Sequence, residues 1–142
     1  MKLLACVGLI AACAHEGPAR SNATGSAESI EKFAQTNHTG QPIAMERVTV
    51  PGQVTIVDFW SESCGACEVV GGMTAVAIAR QPGIVVRKID VGDGDTEVAR
   101  QYQIGALPHY QVYDRHGKLR FDFVGNDCLK ASTVAMQLLH EP

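Results

Sequence analysis

The sequence predicts an α/β domain, a central mixed β-sheet flanked by helices. Three observations carry this. Two strongly apolar, β-branched runs, Val54–Trp60 and Ile84–Asp90, are separated by a helix-like stretch. A third strand-like run near Leu107–Tyr113 is followed by a turn and a returning strand. Alternating strands and helices imply a parallel portion, and the closing hairpin adds an antiparallel edge. With 142 residues, 46% of them hydrophobic and 19% charged, the chain has material for about one packed domain. The formal net charge of −3, with no basic cluster, argues against a nucleic-acid binder.

The first residues read as an address rather than as fold. Met1-Lys2 is followed by an apolar stretch from Leu3 to Cys13, the shape of an export signal. That stretch is shorter than the ~20 apolar residues needed to span a bilayer. Its end, Ile10-Ala11-Ala12-Cys13, resembles a bacterial lipobox, which implies lipidation at Cys13. Residues 1–12 are therefore expected to be a signal peptide of lipoprotein type. Residues 13–27, rich in Ala, Gly, Ser and Asn, are expected to be a flexible tether. A folded domain over 28–142 follows.

Within that domain, Ile30, Phe33 and Ala34 have i, i+3, i+4 spacing, and a short helix is expected from Glu28 to about Thr36. Ile43 to Val50 alternates loosely and reads as a strand. Pro51-Gly52 marks a turn. Val54–Trp60 is the strongest strand, apolar enough to be covered on both faces. A helix is expected from Cys64 to about Arg80, with Val69, Val70, Met73, Val76 and Ala77 as its apolar residues, weakened by Gly71-Gly72. Ile84–Asp90 is the next strand, with Arg87 and Lys88 as strand and surface charges. Asp95 is placed to cap a short helix ending near Tyr102. After the hairpin, Gly125-Asn126-Asp127 reads as a break and Cys128 to His140 as a final, core-packing helix.

Five cysteines are present, and only Cys64 and Cys67 form a close pair. Two thiols at i and i+3 share one helix face. At a helix start, open N–H groups and the helix dipole favour a thiolate at the first. The second, one turn in, can resolve a mixed disulfide formed at the first. A zinc site needs a second ligand pair at fitting distance, and none is evident in the sequence.

The segment Val57-Asp58-Phe59-Trp60-Ser61-Glu62-Ser63-Cys64-Gly65-Ala66-Cys67 resembles the active-site segment of thioredoxin. The resemblance continues through Ile89-Asp90, Gly105-Ala106-Leu107-Pro108 and Gly125, so that it covers about residues 43–140. It implies a thioredoxin fold, with Cys64 as nucleophile, Cys67 as resolving thiol, and a redox-active disulfide between them. It also implies a cis peptide before Pro108, which would border a client groove. Trp60, Gly65, Ala66 and His109 are the implied supporting residues. The chain departs from the family pattern where tryptophan usually precedes the first cysteine (Ser63), where proline usually stands between the cysteines (Ala66), and where threonine usually follows the cis-proline (His109). Gly72 stands where a helix proline is usual, and Val86 where a lysine often pairs with the buried aspartate.

Some residues have two readings. Asp58 is either a buried carboxylate that accepts the Cys67 proton or a strand-end aspartate held by backbone hydrogen bonds. His109 either faces the Cys64 thiolate or points to solvent. Cys128 is either a regulatory thiol or a small residue at a helix start. The leading expected function is a thiol–disulfide oxidoreductase acting on exported client proteins, without a cofactor, lipid-anchored on the periplasmic side of a bacterial membrane. A membrane-bound partner would supply its electrons. The alternatives are a copper-binding protein using the two cysteines and a histidine, and a binding domain that has kept the fold alone.

Overall fold

A computed structural model describes residues 29–141. The expected signal, the tether and Cys13 lie outside the described residues. The strands are β1 (Phe33–Gln35), β2 (Val54–Trp60), β3 (Ile84–Asp90), β4 (His109–Tyr113) and β5 (Leu119–Val124). The α-helices are α1 (Gly65–Ile78), α2 (Glu97–Gln101) and α3 (Ala131–Leu139). The sheet order is β1-β3-β2-β4-β5. β1, β3 and β2 run parallel, and β4 and β5 complete the sheet antiparallel.

Alternation along the central strands sorts the core into two layers. Val54, Ile56, Ile84, Val86, Tyr110 and Val112 face one way and pack with Val70 and Ile78 of α1 and Ala131, Ala135 and Leu138 of α3. Val57, Phe59, Ile89 and Tyr113 face the other way, against Val48, Val91 and Val98. Every residue of β2 except Trp60 is buried, as a strand covered on both faces requires.

Several expected elements are corrected. The expected helix at 28–36 is instead the edge strand β1. Its main chain extends the sheet, with Val86 N–H donating to Lys32 O at 2.8 Å and Thr36 N–H to Lys88 O at 2.9 Å. Ile30 and Phe33, read as one helical face, are both exposed, so there was no buried side to stabilise a helix. The expected strand at 43–50 is a 3-10 turn, Met45–Arg47. Its apolar residues Ile43, Met45 and Val48 join the second core layer, and that spacing is not the period of a strand.

In α1 the buried residues are Cys67, Val70, Thr74 and Ile78. Val69, Met73 and Val76 are exposed, so of the apolar residues expected to pack, Val70 alone is buried. The helix runs unbroken through Gly71-Gly72. Thr96, not Asp95, caps α2. The Thr96 hydroxyl accepts from Ala99 N–H and donates to Val91 O, while Asp95 pairs with Arg100 at 2.9 Å. The expected break at 125–127 opens a 3-10 segment, Gly125–Lys130, that leads into α3. Leu129 is exposed there, whereas Leu138 is buried.

Candidate active site

The end of β2 delivers the cysteines. After Trp60 the chain turns, Cys64 N–H donating to Ser61 O at 3.1 Å, and α1 begins at Gly65 with Cys64 as its N-cap. Cys64 and Cys67 are joined by a disulfide, with Cα atoms 5.3 Å apart. The two sulfurs differ in surroundings: Cys64 is half-buried and Cys67 is 3% exposed. The backbone N–H of Cys67 donates to Cys64 Sγ at 3.1 Å. A donor aimed at that sulfur, together with the positive end of a helix of 14 residues, stabilises negative charge there. Gly65 and Ala66, between the cysteines, are exposed.

The peptide between Leu107 and Pro108 is cis. The Pro108 carbonyl accepts from Gly125 N–H at 2.8 Å and from the Cys128 thiol at 3.4 Å. Gly125 has φ +62°, a conformation that glycine adopts without the clash a side chain brings. Cys128 is fully buried, its thiol also bonded to Phe123 O at 3.3 Å, and burial pushes its pKa up to about 11. It is therefore held as a neutral thiol.

Asp58 is 2% exposed. Desolvation pushes its pKa up to about 6, against the opposing pull of the Lys88 ammonium and the Tyr110 hydroxyl. Lys88 pairs directly with Asp58 across β2 and β3, and its ammonium lies 4.0 Å from the centre of the Trp60 ring. Lys88 thus supplies a cation to Asp58 although Val86 occupies the usual lysine position. Arg87, expected at the surface, is buried and donates to Val86 O.

An open groove of about 670 Å³ runs past the half-buried sulfur, lined by Ser63, Cys64, Asp93, Arg100, Ile104 and Leu107 among others. Ser63, standing where the family usually has tryptophan, donates to Asp93 Oδ1 at 2.5 Å. The site rim on that side is polar and tied to the loop after β3. On the other side, Trp60, Glu62, Cys64, Glu68 and Lys88 border a smaller hollow, and Trp60 Nε1 donates to Gln35 Oε1 at 3.1 Å.

Residues 31–136 match the family model described as thioredoxin. The chain belongs to the thioredoxin family. The mitochondrial thioredoxin of Bos taurus is 32% identical over 85 residues, 59% of this chain and 50% of that protein. The thioredoxin of Mycoplasma pneumoniae is 33% identical over 60 residues, 42% of this chain and 58% of that protein. The chain thus spans about half the length of the curated relatives it matches. Among solved structures, Fasciola hepatica thioredoxin aligns with a TM-score of 0.51 at 25% identity, over 61% of this chain and 82% of that one. Schistosoma mansoni thioredoxin aligns with a TM-score of 0.57 at 22% identity, over 75% and 94%, a likeness of fold.

Within this thioredoxin fold, His109 takes neither expected position. It is 7% exposed and lies in the second core layer, edge-on to Phe59, with Nε2 2.8 Å from Asp122 Oδ1. Asp122 in turn accepts from Gln111, whose Oε1 accepts from Tyr113. The reason is strand parity: His109 opposes Phe59, and Tyr110 opposes Asp58. His109 therefore shares the Phe59 face, and Tyr110 takes the face that carries Asp58. Tyr110 and Lys88 are the site residues that sequence reasoning missed; both follow from the same alternation once the sheet order is known. Among the described residues no group of three or more His, Cys, Asp or Glu is placed to hold a metal ion.

Proposed function

We propose that this protein is a thiol–disulfide oxidoreductase that exchanges disulfides with exported client proteins through Cys64 and Cys67. The observation that carries the reading is the asymmetry of the pair, a half-buried sulfur receiving a helix N–H beside a buried one. In the reduced enzyme the Cys64 thiolate attacks a client disulfide. A Cys64–client mixed disulfide forms and one client sulfur leaves as a thiolate. Cys67 then gives its proton to the Asp58 carboxylate and attacks Cys64 Sγ. The Cys64–Cys67 disulfide forms, the second client sulfur departs, and the client has gained the two electrons that the enzyme has lost. With a pKa of about 6, Asp58 is mostly ionised at neutral pH and is poised to take the proton.

The roles of Pro108 as a client-groove residue and of Trp60 as a supporting residue rest on the family resemblance. The placement at the periplasmic side of a membrane, with lipid on Cys13, rests on the Ile10-Ala11-Ala12-Cys13 sequence. A membrane-bound electron donor follows from that placement. Mass spectrometry of the mature N-terminus tests the anchor, and an unmodified Met1 rules it out. Insulin reduction, driven by dithiothreitol, tests the chemistry. Cys64→Ser is expected to abolish catalysis, and activity that survives this substitution overturns the assignment.

A further inference from the structure

Tyr110 is the largest fully buried side chain among the described residues, and its hydroxyl is out of keeping with that position. Among the described residues the hydroxyl has no hydrogen-bond partner of normal geometry. Buried polar groups are rarely left so, and a phenylalanine would fill the volume without the difficulty. Asp58 Oδ1 is also buried without a partner, as are the two ring nitrogens of His109 on the opposite face of the sheet. Asp58 and Tyr110 are directly opposed on β2 and β4 and share one face of the sheet. Gly71 of α1 lies over both: a Cβ there would be 3.7 Å from Asp58 Oδ2 and 3.8 Å from the Tyr110 hydroxyl.

We infer that Tyr110 is a positioning residue for Asp58, its hydroxyl donating to the carboxylate whenever Asp58 is ionised. An ionised carboxylate only accepts, so the phenol is the natural donor on this face. A hydrogen bond to the charged form favours that form and opposes the desolvation that disfavours it. The other titratable groups around Asp58 are Lys88 on β3, which favours its charged form, and Cys128 ahead of α3, whose pKa Asp58 helps to raise. From α1, Gly71 faces the pair and Thr74 the phenol, and neither carries charge. Tyr110 thereby keeps the carboxylate available to take the Cys67 proton near neutral pH. The inference rests on the proposed role of Asp58 as proton acceptor.

The test compares wild type, Tyr110→Phe, Asp58→Asn and the double variant, each as the full chain. Insulin reduction is followed from pH 5 to 9. In Tyr110→Phe the acid limb should move upward by about one pH unit, with slower turnover at pH 6 and little change at pH 9. In the Asp58→Asn background the same change should move nothing further. The Asp58 carboxyl is also titrated directly by carbon NMR in wild type and Tyr110→Phe. An unmoved NMR midpoint overturns the inference, and so does a variant that only loses thermal stability. If Asp58→Asn leaves the rate unchanged, the proton-acceptor role fails. The NMR midpoint still decides whether Tyr110 sets the ionisation of Asp58, a raised value supporting it.

Discussion

Replacing Asp58 with asparagine is expected to stabilise the fold above pH 6 and to leave it nearly unchanged at pH 4. The carboxyl titrates at 3.8 as an ordinary aspartate and at about 6 in the folded protein, where burial disfavours its charge. The folded state therefore holds a proton that the unfolded chain has already lost. Stability is greatest below pH 3.8, falls as pH rises toward 6, and is level above that with the full cost in place. A gap of about two pH units corresponds to about 3 kcal/mol, at 1.36 kcal/mol for each. Asparagine cannot ionise, so Asp58→Asn should recover up to about 3 kcal/mol at pH 8, near 10 °C in Tm for a domain of this size. Urea unfolding of the oxidised protein at pH 4, 6 and 8 measures it. The difference at pH 4 isolates the effect of exchanging acid for amide, and its growth toward pH 8 isolates the charge. A difference that stays constant with pH refutes the reasoning, as does a variant less stable than wild type at pH 8.

The remaining predictions concern the surroundings of the pair. Cys128→Ala should cost about 1–2 kcal/mol in urea unfolding, because it removes buried contacts to the Pro108 and Phe123 carbonyls. In the folded protein Cys128 should resist iodoacetamide at pH 8, as a fully buried thiol with a pKa of about 11; mass spectrometry before and after unfolding reads the modification. Gly125→Ala should cost about 1–2 kcal/mol by the same unfolding assay, since φ is +62° and the space around its Cβ position is open. His109→Ala should lower Tm while changing the insulin-reduction rate little, because its ring packs on Phe59 and meets Asp122.

The central elements were legible because their sequence signals agree with one another. Val54–Trp60 and Ile84–Asp90 are β-branched, apolar and of strand length, and both form strands with those bounds. The segment 28–36 differs from expectation because three apolar residues at helical spacing satisfy a local pattern that nothing buries. β1 exists through its backbone pairing to β3, a long-range cause that a window of nine residues does not contain. The same holds for α1. Its apolar residues do not share one phase: the inner face uses Cys67, Val70, Thr74 and Ile78 while Val69, Met73 and Val76 are exposed.

Strand parity explains the errors at the site. Once Asp58 is placed on the face with Ile56, alternation alone assigns Lys88 and Val86 to that face and Arg87 to the other. The antiparallel register then opposes Tyr110 to Asp58 and His109 to Phe59. A histidine beside Pro108 suggests a partner for Cys64 by sequence proximity, yet one residue of offset in a strand turns it to the opposite layer. The buried polar groups consequently fall into two sets. On one side of the sheet Tyr113 donates to Gln111 and Gln111 to Asp122, while His109 Nε2 lies 2.8 Å from Asp122 Oδ1 and neither ring nitrogen has a hydrogen-bond partner of normal geometry among the described residues. On the other side, Asp58 Oδ1 and the Tyr110 hydroxyl lack hydrogen-bond partners among the described residues. The open hydrogen-bonding capacity of this second pair lies on the face where α1 buries Cys67, the face on which the proposed proton transfer to Asp58 takes place.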